Sequence, residues 1–166
     1  MIVESIKIPR MKRDKLLEMV ELKNIDLLNK LFLDGKSAFI ALGHIPNWEL
    51  CGFTLPLICK QKLFAVYLPP KNKYFDNYIR KFRQSLGGKL VPSKQVFKTM
   101  LENKNETVLT YILADQAPPR GSEHYWTEFL NQDTAFLNGL EKMAKHLGFE
   151  VVFMSIIKLK RGKYMI

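Results

Sequence analysis

The segment Gly43-His44-Ile45-Pro46-Asn47-Trp48-Glu49 sets an imidazole and a carboxylate five positions apart. An alcohol attacking a thioester must shed its proton as it attacks, and histidine is the side chain whose ordinary pKa suits a base near neutral pH. A neighbouring carboxylate would orient the ring and stabilise the imidazolium that forms when the proton arrives. His44 is therefore a candidate general base and Glu49 its candidate partner.

Local elements must place this pair. Residues 37 to 43 form a short apolar run after Gly35 and predict a buried strand, with His44 at its C-terminal end. Pro46 and Asn47 supply turn and N-cap chemistry, so a helix is expected from Trp48 to about Lys60 with Glu49 in its first turn. In open α/β sheets ligands bind outside the carboxyl ends of strands, and a helix N-terminus offers N–H donors and partial positive charge to an oxyanion. Asn47, inside this turn, is a candidate substrate contact. Spacing alone leaves a second reading open: a hydrogen-bonded histidine at a strand end and a first-turn glutamate that only complements the helix dipole.

The rest of the chain alternates in the same way. Residues 12 to 34 carry the periodicity of one or two amphipathic helices ended by Gly35, and further strands are expected at 63–67, 107–113 and 150–157, each rich in β-branched or aromatic residues. Helices are expected at 73–86, closed by Gly87-Gly88, at about 94–104, and at about 136–147, closed by Gly148. The pattern predicts an α/β fold: a mixed, mostly parallel sheet flanked by helices, in a single domain over 1–166, with 1–35 as a helical lead-in and 36–166 as the core. The stretch 114–135 is expected to be a long irregular loop; such loops are usually functional or disordered, its aromatics argue against disorder, and Tyr125 and Trp126 would pack it onto the body or touch lipid at an interface. Arg161-Gly162-Lys163-Tyr164-Met165-Ile166 reads as the start of a hairpin strand with no room to finish, which predicts a chain cut short.

With 166 residues the chain can bury one sizeable core, and its net charge of +10 predicts attraction to nucleic acid, an anionic lipid surface or an acidic protein. Cys51 and Cys59, the only cysteines, would stand roughly 12 Å apart on one helix, too far for a disulfide. Two free thiols and no metal site are expected, since the three histidines are scattered. No secretory signal is visible. No apolar stretch reaches the ~18 residues a bilayer span needs, the closest, 50–70, being broken by Lys60, Gln61 and Lys62.

Four ordered blocks carry a resemblance: Gly43 to Glu49, then Val66-Tyr67-Leu68-Pro69-Pro70-Lys71-Asn72-Lys73, then Ala114-Asp115-Gln116-Ala117-Pro118, then Asn131-Gln132-Asp133-Thr134. Together they resemble the bacterial lipid A biosynthesis acyltransferases, most clearly from about Lys36 to Gly162. The resemblance implies a fold similar to the glycerolipid acyltransferases and transfer of a fatty acyl group from acyl carrier protein, or coenzyme A in related enzymes, to a hydroxyl of an anionic glycolipid precursor. The setting would be the cytoplasmic face of the inner membrane, with peripheral contact by this chain. His44 would be the base and Glu49 its orienting partner, with no metal or organic cofactor and no covalent acyl-enzyme. Asp115 and Gln116, following a strand, would hold the acceptor sugar or order the site. Lys71 and Arg80, in a basic stretch with Lys73, Lys81 and Arg83, would hold a head group.

The chain departs from the family at Leu68, where relatives commonly place arginine, and it lacks the family's membrane-anchoring helix and later C-terminal residues, which implies truncation at both ends. A nucleic-acid module is the charge-based rival, but no recognised nucleic-acid motif accompanies the basic and aromatic residues at 71–83, and no nucleic acid is expected as a partner. An acyltransferase acting on another membrane lipid, or a catalytically idle lipid-binding relative, would carry the same motif.

Overall fold

Apolar residues that run without alternation need cover on both faces, and a parallel sheet between helices supplies it. The computed structural model describes residues 7–45, 47–119, 121 and 124–166. In chain order the elements are α1 (Arg13–Glu18), β1 (Val20–Glu21), α2 (Ile25–Leu33), β2 (Ala38–Leu42), α3 (Trp48–Ile58), β3 (Lys62–Tyr67), α4 (Lys73–Arg83), β4 (Lys89–Pro92), α5 (Val96–Glu102) and β5 (Val108–Leu113). They continue through β6 (His124–Phe129), β7 (Gln132–Leu137), α6 (Gly139–Leu147), β8 (Glu150–Phe153), β9 (Ile157–Lys160) and β10 (Lys163–Met165).

Five strands form the central sheet in the order β4-β3-β5-β2-β8, and every pairing in it is parallel. Alternate residues of β2 and β5 feed two cores, as the two-residue period of a strand requires. Ile40, Leu42, Leu109 and Tyr111 face a cluster with Leu16, Leu31, Leu50 and Phe53, so the lead-in helices and α3 cover that side. Phe39 and Val108 face Val96, Met100 and Ala144 beneath α5 and α6. The expected α/β architecture, a largely parallel sheet flanked by helices, is the one observed.

Several boundaries differ from the sequence reading. The stretch expected to be an irregular loop holds an antiparallel hairpin, β6 paired with β7, and α6 starts at Gly139 rather than near 136. Alternating residues such as Tyr125, Thr127 and Phe129 are strand-like, but exposure on both faces hides the one-sided pattern from which a strand is read. Strand β4 was not expected; it is four residues ending in proline, tolerable at a sheet edge. The expected strand 150–157 is broken at Met154–Ile156, and Ile157 begins a different sheet. The helical stretch 12–34 contains β1, which pairs in parallel with β10, while β10 pairs antiparallel with β9. The C-terminal residues Lys163–Met165 therefore do form a hairpin strand, paired with Ile157–Lys160.

Helix α3 is apolar on nearly every face, as a core helix must be. Cys51 and Cys59 both belong to this region and neither is bonded. Burial pushes the Cys51 thiol up to about 12 and the Cys59 thiol up to about 11, so thiolate, the reactive form, is scarce at neutral pH. Ellman's reagent at mildly alkaline pH is expected to react slowly with folded protein and to titrate two thiols rapidly once the chain is unfolded in guanidinium; fast native reaction at Cys51 would contradict its burial.

Candidate functional site

The site begins with strand register. Leu42 of β2 lies opposite Leu113 of β5, and the Ala114 N–H donates to the Leu42 carbonyl at 2.9 Å. Two residues beyond each of these leucines stand His44 and Asp115. The Asp115 carboxylate receives the His44 backbone N–H on Oδ2 and the ring Nδ1 on Oδ1, both at 2.7 Å. Gly43 permits the approach: a Cβ there would lie 3.0 Å from Asp115 Oδ2. The imidazole's acid partner is therefore Asp115 and not Glu49, contrary to the expectation from the motif.

Partial burial raises the Asp115 pKa, but the hydrogen bonds from the His44 backbone and ring outweigh it and hold the carboxyl below its ordinary value. An ionised carboxylate only accepts. Nδ1 therefore carries the proton it donates, so in the neutral imidazole the lone pair is on Nε2, the tautomer a base requires.

Glu49 has a different partner. Its carboxylate is bidentate with Arg83 of α4, Nη2 to Oε1 at 2.5 Å and Nε to Oε2 at 3.2 Å, with both side chains at most a quarter exposed. Trp48 sits between the two pairs: its ring meets His44 edge-on at 5.5 Å and lies 5.1 Å from the Arg83 guanidinium carbon. The Trp48 carbonyl accepts the Tyr111 hydroxyl at 2.7 Å, which fastens the first turn of α3 to β5. Burial, reinforced by the negative charge of nearby Glu49, raises the Tyr111 pKa well above its ordinary value, so the phenol stays a donor.

Asn47 occupies the N-cap position with φ 61° and is buried, but its side chain makes no capping bond; its backbone carbonyl accepts the Leu50 N–H at 2.9 Å. Asparagine tolerates this left-handed geometry better than most residues.

A cavity of about 480 Å³ opens beside these groups. His44, Trp48, Glu49, Arg83, Tyr111 and Gln116 line it with a mostly apolar remainder that includes Phe53, Val66 and Leu113. Its size suits an organic ligand, and a few converging polar groups in an apolar wall are the usual composition of a binding site. Gln116 is thus at the cavity, Asp115 acts behind the imidazole, and Lys71 and Arg80 are both exposed and outside the cavity lining. Leu68 is exposed on its rim. Sequence reasoning had Arg83 only within a basic stretch and missed Tyr111, because both act through contacts across the fold. Among the described residues no group of three or more His, Cys, Asp or Glu side chains converges as a metal site would need, and no helix is long and apolar enough to cross a membrane.

A parallel α/β sheet carrying an imidazole and a carboxylate at the mouth of an apolar cavity fits an enzyme handling an acyl or lipid substrate. The family model for bacterial lipid A biosynthesis acyltransferases matches residues 1–166, and the chain belongs to that family. Comparison with curated proteins gives no match.

Glu49→Ala should leave the Arg83 guanidinium half-sequestered without its carboxylate, at a cost of about 2 kcal/mol and a fall in Tm of about 4–8 °C; thermal denaturation followed by circular dichroism measures it, and an unchanged Tm would show the pair to be energetically idle. For Asp115 the depressed pKa means that its stabilising contribution is present above the ordinary carboxylate range and is lost as pH falls through the lowered value. Urea titrations at successively more acidic pH should accordingly show a shallower loss of stability in Asp115→Asn than in the parent; equal slopes would remove the linkage.

Proposed function

We propose that this protein transfers a fatty acyl group from a carrier thioester, acyl carrier protein or coenzyme A, to a hydroxyl of a lipid A precursor, with His44 as general base. What carries the reading is the clamped imidazole at the mouth of an apolar cavity, in a chain of an acyltransferase family. The acceptor hydroxyl gives its proton to His44 Nε2 as its oxygen attacks the thioester carbonyl carbon. The tetrahedral intermediate collapses with cleavage of the carbon–sulfur bond, and the leaving thiolate takes the proton back from the imidazolium. Asp115 holds the ring in the productive tautomer and offsets the charge that develops on it.

Arg83 stands in the cavity wall with Glu49 and Trp48, where its pairing with Glu49 keeps that carboxylate's charge from opposing the intermediate's oxyanion. Glu49 acts through Arg83, by holding the guanidinium in place. The acyl chain occupies the apolar part of the cavity, and Gln116 at the wall contacts the acceptor sugar. Lys71 and Arg80 lie outside that wall, where they suit the phosphates of the acceptor head group or the acidic surface of the carrier. No metal or organic cofactor enters the scheme. The working position is peripheral, on the cytoplasmic face of the inner membrane.

Purified protein is expected to move a radiolabelled acyl chain from acyl carrier protein to a lipid A precursor. His44→Ala should reduce kcat by about 10²–10⁴-fold with the fold intact. Asp115→Asn should lower kcat with little change in KM, since the orienting carboxylate acts mainly as charge develops. Full activity in the folded His44 variant would overturn the assignment.

A further inference from the structure

The β6–β7 hairpin projects most of its surface away from the cavity, which only Leu137 at its base lines. Most residues of both strands are exposed, and a two-stranded hairpin exposed on both faces is at best marginally stable in water. One face carries Tyr125, Phe129 and Phe136 with Thr127, Thr134 and Gln132, and no charge; Phe129 and Phe136 meet edge-to-face at 5.6 Å. The acidic pair Glu128 and Asp133 lies on the other face. At the tip, Leu130 and Asn131 form a two-residue loop with φ of 54° and 60°. Such a turn prefers asparagine, aspartate or glycine at both places, and leucine there is strained. The strained leucine is also 79% exposed, so the fold gains nothing from burying it.

A second surface borders the same opening. Leu137, at the base of the hairpin, and Leu68, in the loop before α4, both line the cavity. From that loop, Lys71, Tyr74, Tyr78 and Lys81 follow at helical spacing and all are exposed, Tyr74 at 88%. Aromatic rings with a polar end, flanked by lysines, are the side chains that settle at a membrane interface.

We propose that the hairpin tip and the stripe running from Lys71, just before α4, to Lys81 on α4 seat the cavity mouth on the surface of an anionic lipid bilayer. The choice of a bilayer rests on the acyltransfer reading, which calls for a lipid acceptor, and on charge. A chain of net charge +10 repels a second copy of itself and is drawn to anionic lipid. An acidic protein would seek the lysines of the stripe and find no cation on the hairpin's aromatic face. That face can enter the interface without burying a carboxylate.

Flotation of the intact chain with phosphatidylethanolamine–phosphatidylglycerol vesicles tests this. The parent should float and Leu130→Asn should bind about tenfold more weakly. Asparagine suits the left-handed turn, so the variant's Tm should be equal or higher and misfolding would not explain the loss. Tyr74→Ser with Tyr78→Ser should weaken binding through the second surface. A parent that stays at the bottom of the gradient, or a Leu130→Asn chain that floats as well as the parent, overturns the proposal. So does a self-association or oligonucleotide complex that Leu130→Asn abolishes while vesicle binding persists. His44→Ala should float normally yet be inactive, and Leu130→Asn should keep transfer to a detergent-dispersed glycolipid, so failure of docking and failure of the chemistry give different patterns.

Discussion

The parallel pairing of β2 with β5, in the one register that sets Leu42 opposite Leu113, is the constraint on which the rest of the site depends. A shift by one residue would turn Ile40 and Leu42 from one core to the other and expose what the helices now cover, so the register is held by the whole apolar sandwich rather than by the site. That register delivers Asp115 to His44. Two hydrogen bonds accepted by one carboxylate, from the main chain and from the ring, then fix the imidazole more firmly than a ring contact alone could. Because Gly43 has no Cβ, the carboxylate can lie against the backbone.

Two carboxylates near one histidine have divided their work. Asp115 serves the imidazole, while Glu49 is neutralised by Arg83 across the gap between α3 and α4. Trp48 separates them and touches both the ring and the guanidinium. A carboxylate left unpaired beside the cavity would cost desolvation and repel a developing oxyanion, and the bidentate arginine removes both problems. The arrangement also ties α4 to the site, so the element that displays Tyr74 and Tyr78 outward holds Arg83 inward. Surface and chemistry are therefore linked by one helix.

Leu137 at the base of the hairpin and Leu68 just before α4 line the same cavity, so the proposed docking would give the positive charge a direction. Charge distributed evenly would only raise solubility, whereas cations beside exposed rings at a cavity mouth favour one orientation toward an anionic interface.

Local periodicity and the chain's own turn chemistry were enough to read the alternation of strand and helix, the two thiols, the parallel sheet and the position of His44 at a strand end. The sequence also marked Asp115 as lying just past a strand, but not as the histidine's partner. The spacing from His44 to Glu49 is visible along the chain, whereas 71 residues separate His44 from Asp115, and only strand register brings them together. Glu49 was drawn to Arg83, and Tyr111 to the Trp48 carbonyl, by packing of α3 and α4 on the sheet. The hairpin was missed for a related reason: with both faces exposed it has no buried side to imprint a pattern, and its strands exist through pairing with each other. Tertiary structure decided which acid meets which base because hydrogen bonding depends on distance in space, and distance along the chain predicts it only within a single element.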